Sequence, residues 1–209
     1  MATLLHILAH PSPEHSQTLR LAQAFLDGYR EGHPDATVTT LDLYHEQVPH
    51  LSATHLTAMY WQGDRDTMPP AVREAWREVI AKVEQFKAAD HFLVTTPMWN
   101  FGVPSILKAY IDHVVLAGYT FQYTGPVAAV GLMTGHKMAL VSTRGGIYSQ
   151  PPFSHFEMCQ HYLSNVFGFL GIEIAAEIVA EGLALVGPPE IEEIMEPALD
   201  KARAAARAM

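Results

Sequence analysis

The sequence is poor in several residue types that specialised proteins need. Cys159 is the one cysteine among 209 residues, so no disulfide can form within the chain. A reducing compartment is therefore expected, and we predict a cytoplasmic protein with a buried, inert thiol. Lys and Arg number 13 against 22 Asp and Glu, which gives a net charge of −9. Nucleic acid and anionic membrane surfaces are consequently poor partners, and no apolar run approaches the length of a membrane span.

Metal-ligand spacing and glycine-rich phosphate loops are also missing. The 12 histidines are scattered. His45-Glu46 and His50 resemble a zinc-protease helix, but the two histidines are five residues apart and Pro49 breaks the helix. No metal site is predicted. The loop after the first predicted strand lacks the glycines of the Rossmann fingerprint and of the Walker loop.

The remaining composition is that of an ordinary globular protein, with 49% hydrophobic and 17% charged residues. We predict a single domain over residues 1–209. Apolar runs bounded by Gly, Pro and polar residues predict five strands at 3–9, 36–44, 91–96, 137–143 and 173–180. Helical spacing predicts helices from about Ser16, from Pro70, and over 104–116, 156–170 and 188–209. Residues 45–69 are predicted to be an irregular excursion, and residues 119–123 a hairpin arm or extended loop.

Strands that alternate with helices imply an α/β fold with a doubly wound parallel sheet. The common five-stranded order is 2-1-3-4-5, whose ligand crevice lies between strands 1 and 3. Strands 1, 3 and 4 are then neighbours, and the loops after them are residues 10–18, 97–101 and 143–148. We expect these loops to meet at the crevice.

Each of these loops also has a plainer interpretation. A helix that begins near Ser16 presents unpaired amides to an anion, but Ser16 taken alone favours a simple N-cap. The Gly145-Gly146 pair permits close approach of a ligand or positive φ, yet it also suits a plain turn. Convergence of the three loops favours the ligand interpretation. The turn Trp99-Asn100-Phe101 has an aromatic on either side of Asn100, which suits a flat ring with polar edges, so we hypothesise a flavin.

The motifs themselves resemble a known family. Four segments are similar to those of the FMN-dependent NADH:quinone oxidoreductases known as azoreductases. They are Pro97-Met98-Trp99-Asn100-Phe101, the helix start Pro104-Ser105-Ile106-Leu107-Lys108, the Gly-Tyr-Thr-Phe-Gln-Tyr-Thr segment from Gly118, and Thr143-Arg144-Gly145-Gly146. The resemblance runs from residue 3 to about 182. It implies a flavodoxin-like fold, bound FMN, NADH or NADPH as electron donor, and a quinone or azo acceptor reduced in ping-pong fashion. Helix 104–116 is apolar over much of its circumference, which indicates burial in a large core or in a subunit interface. We favour the interface and therefore expect a homodimer.

The resemblance also implies roles for particular residues. The FMN phosphate would be held by His10, Ser16, Gln17 and Thr18. The flavin ring would be lined by Pro97, Met98, Trp99, Asn100 and Phe101, and its pyrimidine end covered by Thr143, Arg144, Gly145 and Gly146. Tyr148 is the candidate catalytic residue, with a role in orienting the acceptor. Three positions depart from the azoreductase pattern: His10 stands where Ser is usual, Leu19 where Asn is more frequent, and Tyr148 where His is frequent.

Three other functions fit the same architecture. A regulatory flavoprotein subunit of a potassium-efflux system would bind FMN and nucleotide without efficient turnover. A small electron carrier would be shorter and monomeric. A receiver-like domain would need an acceptor Asp at the end of strand 3, where Thr96-Pro97 stands.

Overall fold

A computed structural model describes residues 2–11 and 16–209, and within them five parallel strands form one sheet. The sheet strands are β1 (Thr3–Leu8), β2 (Thr37–Asp42), β3 (His91–Pro97), β6 (Lys137–Thr143) and β7 (Glu173–Ala180). A separate antiparallel hairpin consists of β4 (Phe121–Gly125) and β5 (Ala128–Gly131). The order in the sheet is β2-β1-β3-β6-β7, which confirms the predicted order 2-1-3-4-5.

Helices cover both faces of the sheet. They are α1 (Gln17–Gly32), α2 (Ala53–Met59), α3 (Pro70–Lys87), α4 (Ser105–Val114), α5 (Cys159–Phe169) and α6 (Pro188–Arg207). One core lies between the sheet and α1 with α6, and the other between the sheet and α3, α4 and α5. Successive strand residues alternate between them: Leu4 belongs to the first core and Leu5 to the second. Burial on both faces explains why these strands are continuous apolar runs.

Helices α1 and α6 approach each other closely because α1 carries glycines at the contact. A Cβ atom on Gly28 would lie 2.6 Å from the carbonyl oxygen of Arg203, and one on Gly32 2.9 Å from the Cα of Arg207. No side chain fits there. The C-terminal helix, predicted at 188–209 and found at Pro188–Arg207, is thus fixed against the first helix.

Two expectations need correction. Residues 45–69 are not irregular throughout, because α2 and a 3-10 turn at Arg65–Thr67 form within them. The apolar circumference of α4 does not by itself indicate a subunit interface. Six of its ten residues, Tyr110 and Ile111 among them, are buried inside the chain's own core.

The single cysteine is buried, as predicted. Cys159 is fully enclosed at the start of α5, and burial raises the pKa of its thiol to about 12. A thiol with so high a pKa carries almost no thiolate at neutral pH. Cys159 is therefore a core residue and not a nucleophile.

A buried histidine on β1 makes stability depend on pH. Burial lowers the pKa of His6 from its ordinary value of 6.5 to about 4, and its Nε2 lies 2.9 Å from the Oγ1 of Thr95. The His6 ring binds a proton more readily in the unfolded chain than in the folded one. The stabilisation that comes from burying neutral His6 is therefore fully present above pH 6.5 and is lost as the pH falls toward 4. We expect the free energy of unfolding to fall by about 1.4 kcal/mol per pH unit in this window from His6 alone.

Urea unfolding at pH 7.5, 6.5 and 5.5 measures this slope. The variant His6→Gln should be less stable but show a flatter dependence on pH, while His50→Gln, at an exposed position, should keep the wild-type slope. An unchanged slope in His6→Gln would contradict the assignment.

Candidate functional site

The carboxyl ends of three neighbouring strands meet at one edge of the sheet. Pro97, the last residue of β3, pairs with Thr143, the last residue of β6. The amide of Met98 donates to the carbonyl oxygen of Thr143 at 3.0 Å, and the amide of Ala9 donates to that of Thr95 at 2.9 Å. The loops after β1, β3 and β6 therefore begin together, as predicted. Residues 12–15 of the first loop lie outside the described residues.

Ser16 caps the first helix at this edge. Its Oγ accepts a hydrogen bond from the amide of Leu19 at 3.3 Å and lies 3.0 Å from the Nε2 of His10. The capping interpretation of Ser16 is confirmed. Capping does not exclude an anion, because the first turn of α1 still presents its dipole and its hydroxyl groups to the crevice.

A buried hydroxyl pair joins this helix start to β6. The Oγ1 atoms of Thr18 and Thr143 lie 2.6 Å apart, and both side chains are buried. Either hydroxyl donates to the other, and the pair holds two hydrogens, of which this bond uses one. The preceding residue, Gln17, forms its side-chain bond within the helix instead: its side-chain oxygen accepts from the guanidinium of Arg20 at 2.7 Å.

The aromatic loop after β3 is a tight turn with an unusual backbone. The amides and carbonyl oxygens of Trp99 and Gly102 bond reciprocally at 3.0 Å. Asn100 has φ 47° and Phe101 φ 70°, as at the two central positions of a type I′ turn. Asn adopts this region readily, whereas a bulky Phe does so only under strain. Such strain is concentrated at ligand sites.

Phe101 contacts the other walls of the crevice. Its ring stacks on Phe156 with centroids 4.7 Å apart and meets Tyr148 edge-on at 6.0 Å. Its carbonyl oxygen accepts from the amide of Met158 at 3.1 Å. These contacts fix the strained turn, and they leave Trp99 42% exposed and Phe101 40% exposed.

The glycine turn after β6 differs from expectation in one respect. Neither Gly145 nor Gly146 has a positive φ. The glycines are needed for space, because a Cβ on Gly146 would lie 3.0 Å from the Tyr148 ring and one on Gly145 would lie 3.1 Å from the Cβ of Ala184. Their carbonyl oxygens accept from Gly182 and Ala184, so only the amides of this turn are candidates for contact with a ligand.

The side chain of Arg144 points into the protein and not into the crevice. It is 5% exposed, with Nη2 3.2 Å from Glu157 and Nη1 3.6 Å from Glu181. Its amide donates to Ala180 and its carbonyl oxygen accepts from Leu183. Its Nε lacks a hydrogen-bond partner, as do five other buried side-chain atoms among the described residues. Arg144 therefore supports the crevice from behind.

A cleft of about 480 Å³ opens in front of Phe101 and Tyr148. Its walls are aromatic, proline, aliphatic and glycine residues with one amide: Phe101, Gly146, Ile147, Tyr148, Gln150, Pro151, Pro152, Phe153, Phe156 and Leu185. None of these side chains is an acid, a lysine, an arginine or a histidine. The cleft is therefore suited to a flat, uncharged molecule.

The part of the chain that the structure describes offers neither a metal site nor a membrane-spanning helix. Residues 2–11 and 16–209 contain no group of three or more His, Cys, Asp or Glu side chains placed to hold a metal. Within the same ranges, no helix has both the length and the apolar character needed to cross a membrane.

Sequence reasoning missed the partners of Arg144 and most of the cleft walls. Glu181 directly follows β7 as Arg144 directly follows β6, and these strands are neighbours. Opposite charges at the ends of adjacent parallel strands could have indicated the ion pair. The cluster Phe153-Ser154-His155-Phe156 gave a second signal, since apolar aromatics in a loop between elements commonly line a pocket.

The fold and the site define a flavodoxin-like α/β protein with a ligand crevice at the point where the strand order reverses. A family model described as having the flavodoxin-like fold matches residues 2–206. A protein of Halalkalibacterium halodurans named FMN-dependent NADH:quinone oxidoreductase 3 is 40% identical over 217 residues, covering 99% of both chains. A protein of Caldicellulosiruptor saccharolyticus named FMN-dependent NADH:quinone oxidoreductase is 38% identical over 208 residues, again covering 99% of both.

Solved structures agree. An azoreductase from Bacillus anthracis superposes with a TM-score of 0.93 at 33% identity over 100% of both chains. An FMN-dependent NADH-azoreductase from the same species, in complex with FMN, superposes with a TM-score of 0.89 at 31% identity over 99% of this chain and 98% of that one. The chain belongs to the flavodoxin-like family of FMN-dependent NADH:quinone oxidoreductases.

Removal of the buried guanidinium should destabilise the protein strongly. In Arg144→Met, Glu157 and Glu181 keep their charges without the cation, so we expect a loss of about 3–5 kcal/mol in the free energy of unfolding. Urea denaturation of FMN-free protein measures it. Arg77→Met removes an exposed pair with Glu74 and should cost at most about 1 kcal/mol. Equal losses in the two variants would show that the buried network is not structural.

Proposed function

We propose that this protein is an FMN-dependent NADH:quinone oxidoreductase that also reduces azo compounds. The observation that carries the proposal is the meeting of three loops at the switch point of the sheet. The Thr18–Thr143 bond joins the helix start to β6, and the Met98–Thr143 bond joins the aromatic turn to the same strand. One crevice thus has an anion-binding end and an aromatic wall.

The residues present fit FMN. Because the chain carries a net charge of −9, the FMN phosphate must be held by neutral hydrogen-bond donors rather than by a basic patch. The first turn of α1 and its hydroxyl groups meet that need. The exposed rings of Trp99 and Phe101 offer apolar surface to the isoalloxazine. The residues that would hold FMN are His10, Ser16, Gln17, Thr18, Pro97, Met98, Trp99, Asn100, Phe101, Thr143, Arg144, Gly145 and Gly146, with Arg144 acting behind the crevice.

FMN, when bound, takes two electrons from NADH or NADPH as a hydride and passes them to the acceptor. The chain's own contribution is orientation, electrostatics and exclusion of water. The rigid Trp99–Gly102 turn fixes one wall, since both its hydrogen bonds and the Phe101–Phe156 stack restrict it. Amide donors of the Gly145-Gly146 turn would stabilise negative charge at the polar edge of a bound ring.

Tyr148 is the residue we propose to orient the acceptor. Its ring lies over Gly146 and edge-on to Phe101 in the wall of the uncharged cleft. The phenol is the one hydroxyl among the cleft-lining side chains. A quinone carbonyl or an azo nitrogen accepts a hydrogen bond, so the hydroxyl gives such an acceptor a direction within an otherwise apolar site.

We further propose that the protein is a homodimer located in the cytoplasm. Exposed apolar side chains support the first part: Leu56, within α2, is 44% exposed, and Tyr60, directly after α2, is 70% exposed. A single buried thiol supports the second. The potassium-efflux alternative gains no support, because the relatives named above are quinone oxidoreductases and azoreductases along their whole length.

The first test of the function is colour and turnover. We expect the purified protein to be yellow, or to become yellow and retain FMN after incubation and gel filtration. It should then oxidise NADH with benzoquinone and with an azo dye, well above the rate without an acceptor. A protein that stays colourless after incubation with FMN would refute the proposal. FMN retention without acceptor-dependent turnover would favour a regulatory role.

The second test concerns the Tyr148 hydroxyl. In Tyr148→Phe we expect the KM for benzoquinone to rise about fivefold, the value of one hydrogen bond, while the KM for NADH changes little. Steady-state kinetics at saturating NADH measure this. Tyr123→Phe alters an exposed tyrosine on the hairpin and should match the wild type. Acceptor kinetics of Tyr148→Phe equal to the wild type would remove the hydroxyl from the mechanism.

A further inference from the structure

A buried ionic cluster lies directly behind the wall of the cleft. Arg144 follows β6 and Glu181 follows β7, and the residues before them, Thr143 and Ala180, are register partners in the sheet. The side chain of Glu181 is 19% exposed, and that of Glu157 7% exposed. Arg144 carries one positive charge and the two carboxylates carry two negative charges. The cluster therefore needs further donors to be stable.

Backbone amides of the cleft wall supply those donors to Glu181. A single oxygen, Oε2, accepts from the amide of Tyr148 at 2.9 Å and from the amide of Ser149 at 3.2 Å. The same oxygen faces the guanidinium of Arg144. Glu181 is thus bonded to the backbone of the very residue whose ring lines the cleft.

Glu157 makes the corresponding contacts at the start of α5. Its carboxylate accepts from the amides of Gln160 at 2.8 Å and His161 at 3.2 Å. The adjacent Met158 donates to the carbonyl oxygen of Phe101. Arg144 therefore links the wall that carries Tyr148 to the wall that carries Phe101, through one carboxylate on each side.

We propose that Glu181 is the positioning residue for Tyr148 and thereby sets the affinity of the enzyme for its electron acceptor. The inference rests on the proposed function. An ionised carboxylate suits this place because all its neighbours are donors: two amides and a guanidinium. A glutamine could direct its one accepting oxygen at the same donors, but it carries no charge, so its bonds to the two amides would be weaker and Arg144 would lose a counter-ion. The loop 145–149 would then lose its fixed position, and the Tyr148 ring with it.

The first readout needs no cofactor. Hydrogen exchange in FMN-free protein, followed by mass spectrometry, reports the peptide that contains Tyr148 and Ser149. In the wild type we expect these amides to be protected, and in Glu181→Gln to exchange about tenfold faster. Glu177→Gln is the matched control, because Glu177 lies on β7 four residues before Glu181 but bonds to Ser164 instead of the loop. Unprotected amides in the wild type, or equal exchange in both variants, would overturn the proposal.

The second readout separates positioning from general stability. With FMN bound, Glu181→Gln should raise the KM for benzoquinone about tenfold, leave single-turnover reduction by NADH within about twofold, and retain FMN. If Glu181 served stability alone, the variant would have a lower melting temperature without this selective rise in the KM for benzoquinone. Equal acceptor KM values in Glu181→Gln and Glu177→Gln would contradict the proposal.

A double-mutant cycle tests whether Glu181 acts through Tyr148. If it does, Glu181→Gln should add little to the acceptor KM in a Tyr148→Ala background, because the ring it positions is gone. Additive effects would show that Glu181 acts by another route. If the wild type turns over but the double-mutant cycle shows additive effects, the oxidoreductase function stands while this inference fails. Absence of wild-type turnover would instead remove the function itself.

Discussion

One buried guanidinium holds together the loops from which the crevice is made. Arg144 is 5% exposed and bridges Glu157 and Glu181, and each carboxylate in turn accepts two consecutive backbone amides. Charges buried in this way are costly unless every partner is present. The ionic network is therefore stable in few conformations, and this restriction fixes the loops that contribute its charges and amides. Rigid positioning is what a cofactor enzyme requires from its protein.

The strained aromatic turn depends on that rigidity. Phe101 has φ 70°, a conformation that an isolated turn with a bulky residue would abandon. Its carbonyl oxygen bonds to Met158 and its ring stacks on Phe156, both next to the Glu157 end of the network. The turn thus remains strained because α5 holds it, and α5 is itself fixed by buried side chains such as Leu163 and Phe167 and by the Arg144–Glu157 pair at its start. The exposed ring surface on Trp99 and Phe101 is the product of this sequence of constraints.

How much of this could be read from the sequence differs by element. The strands at 137–143 and 173–180 were predicted to the residue because apolar, β-branched runs between breakers are a local signal. Helix α2 was missed because its capping box uses His55 in place of Glu or Gln: the ring Nδ1 accepts from the Ser52 amide. The resemblance implies that Arg144 covers the pyrimidine end of the flavin, whereas its side chain pairs with Glu157 and Glu181 behind the crevice. Its partners are distant in sequence, so only the folded chain reveals them.

Charge explains how the crevice that we propose would hold a phosphate and still favour a neutral acceptor. The proposed phosphate end would use a helix terminus and hydroxyls, whose fields are local and fade within a turn of helix. The cleft walls carry no charged side chain, but Glu157 and Glu181 lie behind them with one negative charge in excess over Arg144, in a chain of net charge −9. An anionic acceptor would lose hydration and meet repulsion, whereas an uncharged quinone exchanges water for aromatic contact. The same carboxylates that hold the loops in place therefore also bias the cleft toward neutral rings.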